Sequence, residues 1–107
     1  MSDWINKTCE ACEGGVDPLA LGTVKEYLST IPGWEYTHER LRRKFEFKNH
    51  YQAIAFVNAV AWISHTENHH PMMAVGFRDV TIDYWTHAIN GISDNDFICA
   101  AKVNVLV

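Results

Sequence analysis

The chain has 107 residues, 48% of them hydrophobic and 21% charged, with a formal net charge of -4. That length argues for a single domain with one hydrophobic core, and the balance carries no disorder signature. The acidic charge argues against a generic phosphate-binding surface, and no apolar run reaches the ~18 residues needed to span a bilayer.

Residues 1–16 show no periodicity and include Gly14-Gly15. They read as a flexible N-terminal lead-in, with the domain spanning 17–107. Cysteines number three: Cys9, Cys12 and Cys99. An odd count and no apolar leader argue against a secreted disulfide scaffold and for a soluble cytoplasmic protein with reduced thiols. Cys9-Glu10-Ala11-Cys12 is a CxxC, but a four-ligand zinc site would need two further ligands.

The first helix is expected to start at Asp17 as N-cap with Pro18 at its first position, to carry Leu21, Val24, Leu28 and Ile31 on one stripe, and to stop at Pro32-Gly33. Trp34 to His38 and Leu41 to Phe47 alternate as two strands of a hairpin turning near Glu39-Arg40. Leu41, Arg43, Phe45 and Phe47 share one face. Arg40, Arg42, Arg43 and Lys44 form the longest basic cluster, read as the solvated face of a strand rather than a nucleic-acid patch.

Asn49 is the next N-cap, with Gln52 as its reciprocal partner. From His50 to about Thr66, Tyr51, Ile54, Ala55, Asn58, Ala61 and Trp62 recur at helical spacing, and Phe56, Val60 and Ile63 widen the arc. So wide an arc predicts a largely buried central helix, ending before Pro71. Met73, Val75 and Phe77, then Val80, Ile82 and Tyr84, give a second hairpin turning between Gly76 and Asp79. Ser93 and Asp96 open a last helix with Phe97, Ala100, Ala101 and Val105 on its core face. The order α-β-β-α-β-β-α predicts an α+β domain: a four-stranded antiparallel sheet covered by helices on one face, in two layers.

Three of the six histidines fall in His65-Thr66-Glu67-Asn68-His69-His70, closed by Pro71. Histidine titrates near neutral pH, so the cluster suits either proton transfer or a metal. His65 and His69 are four apart, a spacing that permits two-point metal binding, although the glutamate stands at the wrong place for an H-E-x-x-H protease. Exposed histidines at a helix end are the plainer reading. Taken alone, His87, after Thr86, reads first as a solvent-facing strand residue, and Asp96 as half of a capping box with Ser93. Trp34 reads as a core aromatic before a stacking platform. No phosphate-binding glycine motif or nucleophile elbow is present.

Taken together, Asn68-His69-His70-Pro71, Val80-x-Ile82 leading to Thr86-His87, Gly91-Ile92-Ser93-x-x-Asp96 and Pro32-Gly33-Trp34 resemble the pterin-4a-carbinolamine dehydratase family, over residues ~17 to ~105. The lead-in with Cys9-x-x-Cys12 looks like that of bacterial members associated with phenylalanine hydroxylase. The resemblance implies dehydration of 4a-hydroxytetrahydropterin to quinonoid dihydropterin, recycling the cofactor of aromatic amino acid hydroxylases, with no metal or organic cofactor. It implies catalysis by His69, His70 and His87, and substrate binding by Trp34, Asn68, Pro71, Thr86 and Asp96. Dimers or tetramers, and an aromatic amino acid hydroxylase or a transcription regulator as partner, are its further implications; the acidic charge and the lack of a long apolar run add the expectation of no direct nucleic-acid contact and no membrane. A regulatory or dimerization module with weak activity on the same fold is the alternative it carries. Some members of the family place acids where this chain has His65 and Asn68.

Overall fold

The computed structural model describes residues 3–10 and 17–107; Cys12, half of the CxxC, lies outside them. In chain order the elements are α1 (Leu21–Leu28), β1 (Glu35–Thr37), β2 (Arg40–Glu46), α2 (His50–Glu67), β3 (Met72–Val75), β4 (Asp79–Tyr84) and α3 (Asp94–Asn104), with short 3₁₀ turns at Trp4–Asn6 and His87–Ile89. The four strands form one antiparallel sheet in the order β1-β2-β4-β3. This is the expected α+β architecture.

Register explains which sheet face is covered. Leu41 pairs with Tyr84, Arg43 with Ile82 and Phe45 with Val80. Because side chains alternate, Leu41, Phe45, Val80, Ile82 and Tyr84 share the core face, and all five are buried. Arg42, Lys44, Asp79 and Asp83 share the other face, where Arg42 grips Asp83 with two hydrogen bonds of 2.6 and 2.9 Å. That hydrogen bonding holds the Asp83 carboxyl below its ordinary range, against the opposing effect of burial. Arg40, Arg42 and Lys44 of the basic cluster thus face acids on β4, while Arg43 donates to Asn104 Oδ1 and the Pro32 carbonyl.

The first hairpin turns at His38-Glu39, both with left-handed φ (51° and 61°), between the paired Thr37 and Arg40. A two-residue turn of that hand matches the twist of the strands it joins. The expected turn lay one residue later.

Three expectations need correction. Asp17 does not cap α1, which starts at Leu21 with Ala20 before it and no side-chain cap. The backbone of this segment is engaged elsewhere: Leu19 N–H donates to the Ile92 carbonyl at 2.8 Å. Pro18 packs so closely on Gly91 that an added Cβ there would lie 2.6 Å from the proline.

Secondly, α2 is not the buried central helix. Its caps form, with Asn49 Oδ1 accepting from Gln52 N–H and Gln52 Oε1 accepting from Lys48 N–H. Yet it buries only Ala53, Phe56 and Val60 against the sheet, and Tyr51 and Trp62 are 83% and 66% exposed. The enclosed helix is α3, buried at Asp96–Ala101 and at Val103, while Val105 stands exposed beyond its end.

The third correction supplies the reason. A flexible lead-in does not describe residues 3–10. Trp4 is buried and stacks on Phe97 at 5.7 Å, meets Tyr27 edge-on at 5.2 Å, and donates its indole N–H to Thr30 Oγ1. The start of the chain therefore covers the face of α3 that the sheet leaves open. A buried tryptophan contributes roughly 4–6 kcal/mol of apolar transfer as an upper estimate. That is enough to hold a segment with one short turn of structure.

Candidate active site

α2 ends at Asn68, which takes the left-handed conformation (φ 52°, ψ 42°) and donates its N–H to the Ser64 carbonyl. The His69 N–H reaches the same carbonyl at 3.2 Å. Asparagine tolerates this conformation better than most residues. With Pro71 forbidding further helix, the chain swings away at His69-His70 and enters β3 at Met72.

At the far end of the next hairpin, Thr86 and Gly91 form a small antiparallel bridge. Thr86 N–H donates to the Gly91 carbonyl at 2.8 Å. The bridge closes the loop that carries His87. Gly91 is needed there because Pro18 leaves no room for a side chain.

Asp96 ties these two segments together. It is fully buried at the first turn of α3. Its Oδ1 accepts from His69 Nε2 at 2.6 Å. Its Oδ2 accepts from Thr86 Oγ1 at 2.8 Å and from Ser93 N–H at 2.9 Å. The capping box expected from sequence is present, but its carboxylate also braces a histidine. Since Nε2 serves Asp96, Nδ1 is the His69 nitrogen left for other partners. The His69 ring also lies parallel to Tyr84, with 5.9 Å between centroids. The Tyr84 hydroxyl is buried without a hydrogen-bond partner among the described residues, and burial pushes its proton affinity far up.

His70 meets His87 edge-to-face at 5.2 Å, and His87 stacks on Trp85 at 4.3 Å. The Arg40 guanidinium lies 4.0 Å from the Trp85 ring. His87 is thus held by an aromatic shelf, not by a carboxylate.

All three histidines line one cavity of about 630 Å³, together with Ser64, Glu67, Asn68, Thr86, Ala88, Asn95 and, from the start of the chain, Cys9 and Glu10. Its size falls within the usual range for small-molecule sites. Glu67 is a structural anchor of this wall: Oε2 accepts from Lys102 Nζ at 2.6 Å and Oε1 from the Cys9 N–H at 2.8 Å. Burial alone would raise its pKa, but these hydrogen bonds outweigh burial and hold the carboxyl below its ordinary value.

Of the residues singled out from sequence, His69, His70, His87, Asn68 and Thr86 meet at the cavity, and Asp96 stands behind His69 with no exposed surface. Two do not line it. Pro71 shapes the bend without reaching the cavity wall. Trp34 is a core residue: its ring packs on Phe45 and Tyr84, each at 6.0 Å, and its indole N–H donates to Asn104 Oδ1 at 2.8 Å. Its link to the site runs through Tyr84, which underlies His69. His65 lies apart, exposed, with its ring on Trp62 at 5.3 Å, because the left-handed turn at Asn68 breaks the helix face it would share with His69. Among the described residues no three His, Cys, Asp or Glu side chains group as metal ligands.

Sequence reasoning missed Cys9, Glu10, Glu67 and Asn95. A tryptophan inside an otherwise aperiodic leader was the available signal, since Trp4 is what brings Cys9 and Glu10 to the cavity. Nothing local marked Glu67 or Asn95 beyond their adjacency to Asn68 and Asp96.

A one-sided α/β sandwich with three imidazoles around a cavity, one braced by a buried carboxylate, defines a class of small proteins able to exchange protons with a bound molecule. A solved structure of the same fold is the transcriptional coactivator/pterin dehydratase from Brucella melitensis, with a TM-score of 0.81 and 27% identity over 84% of this chain and 98% of that one. The family model for pterin 4 alpha carbinolamine dehydratase matches residues 17–106, and the chain belongs to that family. Relatives from Dechloromonas aromatica (53% identical over 95% of this chain and 91% of the relative), Nitrosomonas eutropha (51%; 98% and 94%) and Legionella pneumophila (45%; 99% and 96%) are each named, provisionally, a pterin-4-alpha-carbinolamine dehydratase. No helix in the described residues is long and apolar enough to cross a membrane.

Proposed function

We propose that this chain dehydrates 4a-hydroxytetrahydropterin to quinonoid dihydropterin and water by histidine acid–base catalysis, returning the pterin to an aromatic amino acid hydroxylase. The observation that carries this reading is the convergence of His69, His70 and His87 on one cavity, with His69 fixed by Asp96. The reaction asks for two proton movements and nothing more. A proton reaches the oxygen on C4a as the C–O bond breaks, the N5 lone pair forms the new double bond, and the N5 proton leaves to a base. Imidazoles suit both roles near neutral pH, each worth ~10²–10⁴-fold.

Within this reading His69 and His87 carry the protons. His69 has one nitrogen committed to Asp96 and the other open, the arrangement of a base with a fixed tautomer. His87 lies on its aromatic shelf and lines the same cavity. His70 contacts His87 and orients the pterin. Asn68 and Thr86 line the cavity as polar contacts for the ring, and Asp96 acts through His69.

The Brucella relative is described as a coactivator as well as a dehydratase, which supports a second role for this chain as a partner of a transcription regulator. The exposed stripe of Tyr51, Ile54 and Trp62 on α2 supports self-association into a dimer or tetramer, since apolar patches of this kind mark interfaces.

The deciding experiment is a stopped-flow assay in which a hydroxylase supplies the 4a-carbinolamine and the quinonoid product is followed by absorbance. Wild type should accelerate its formation, and His69→Ala and His87→Ala should each lose ~10²-fold or more in kcat. If His70→Ala lost turnover at saturating substrate while His69→Ala only raised KM, the division of roles would be reversed. Wild-type product formation no faster than the spontaneous rate would remove the reading altogether.

A further inference from the structure

We infer that Cys9 and Cys99 form an intramolecular disulfide on two-electron oxidation by a peroxide, stapling the N-terminal segment to α3 at the rim of the cavity. Their sulfurs already lie 3.6 Å apart, although 90 positions separate them in the chain. The approach is enforced from several sides. Trp4 anchors the segment on Phe97. Asn95 holds Glu10 in both directions, accepting from its N–H at 3.0 Å and donating to its carbonyl at 2.7 Å. Glu67 accepts the Cys9 N–H, and Cys9 Sγ donates to the Asn95 carbonyl at 3.6 Å.

The two thiols divide the chemistry by access. Cys9 is partly exposed and lines the cavity, where a molecule as small as hydrogen peroxide can reach it. Cys99 is buried, and its contact with Cys9 together with that burial pushes its thiol far up. Cys9 is therefore the sulfur oxidised first, its sulfur attacking the peroxide. Its sulfur takes one peroxide oxygen as the O–O bond breaks, giving a sulfenic acid and one water. The Cys99 sulfur then attacks the Cys9 sulfur, the S–O bond breaks, and the leaving hydroxide takes the Cys99 proton as a second water. Two thiols and one peroxide become one disulfide and two waters. Closing 1.5 Å or so needs only side-chain rotation and small backbone shifts.

This inference does not depend on the proposed reaction, and its readout is chemical. The full-length protein and its Cys12→Ser variant are treated with hydrogen peroxide, alkylated under denaturing conditions, digested without reductant and analysed by mass spectrometry. Two of the three thiols of the wild type should become unreactive. One linked peptide should join Cys9 to Cys99 within a single chain, with a loss of two hydrogens. Dithiothreitol should reverse it, and Cys12→Ser should retain it. The oxidised protein should melt higher by about 10 °C or more, since closing so long a loop restricts the unfolded chain. A Cys9–Cys12 linkage, a linkage between chains, or Cys9 driven to sulfinic acid with Cys99 still alkylated would each overturn the inference.

Discussion

Replacing Asp96 by asparagine separates the two jobs of that side chain. In the native site Oδ2 accepts from Thr86 Oγ1 and Ser93 N–H, while Oδ1 accepts from His69 Nε2. An asparagine oxygen can keep the first pair, which preserves the cap of α3. Its NH₂ then faces His69, where an acceptor stood. To bond with it, His69 must present a bare Nε2 and carry its proton on Nδ1. The nitrogen proposed to accept the N5 proton is thereby blocked.

The stability loss should be modest, ~1–3 kcal/mol, from hydrogen bonds that are no longer charge-assisted. The catalytic loss should be much larger. The analogous wrong-tautomer substitution in a serine protease triad costs ≈10⁴ in kcat, and ~10²–10⁴ is expected here, or about 3–5 kcal/mol of barrier. KM should move little, because Asp96 has no exposed surface with which to touch a ligand. Stopped-flow turnover measured beside a thermal melt distinguishes the outcomes. If Asp96→Asn retained kcat within about threefold while His69→Ala lost it, the carboxylate would be a helix cap only, and the fixed-tautomer mechanism would fail.

Trp4→Ala should cost ~3–5 kcal/mol and lower Tm by about 10–20 °C; a loss under ~1 kcal/mol in urea titration would mean that the start of the chain is dispensable. Glu67, whose carboxyl is held below its usual value of 4.5, contributes stability that is complete above that pH and lost as pH falls through its folded-state value. Urea midpoints should therefore favour wild type over Glu67→Gln near neutral pH, with the gap shrinking below about pH 4; a gap independent of pH contradicts the assignment. His65→Ala should leave turnover within about twofold, as for a surface site of ±0.5 kcal/mol, and a hundredfold loss would place His65 in the site.

Much of the fold was legible because local chemistry and tertiary packing agree. The alternation of Val80, Ile82 and Tyr84, the cap at Asn49 and the capping box at Ser93 and Asp96 each report a local preference that the structure keeps. The failures share a cause. Asp17-Pro18 carries a good helix start, but the Leu19 N–H of that segment bonds the Ile92 carbonyl while the Pro18 ring packs on Gly91, and no local rule encodes a partner so distant. Tyr51, Ile54 and Trp62 are apolar at helical spacing, yet periodicity says nothing about whether the surface such a stripe meets belongs to the same chain. Residue type alone favours exposed histidines at His69, His70 and His87, and it is their match to the family pattern that singles them out. The second duty of Asp96 was not readable, because a carboxylate that caps a helix and one that braces an imidazole look alike until the fold brings both partners to it.

The placement of Trp4 also bears on when the site comes into being. The segment that Trp4 anchors pairs with α3 far along the chain: Cys9 with Asn95 across 86 positions, and Glu10 with Asn95 across 85. During synthesis the N-terminal segment emerges with no surface to cover, and it waits for α3. Contacts so remote in sequence incur the loop-closure entropy of nearly the whole chain before they return any stability. The sheet and α2 can assemble first, while the wall formed by Cys9 and Glu10 is set only once α3 is available. A chain cut short before α3 therefore carries His69 and His70 without the wall that encloses them, and that wall arrives with the first turns of α3, where Asn95 and Cys99 meet Cys9 and Glu10.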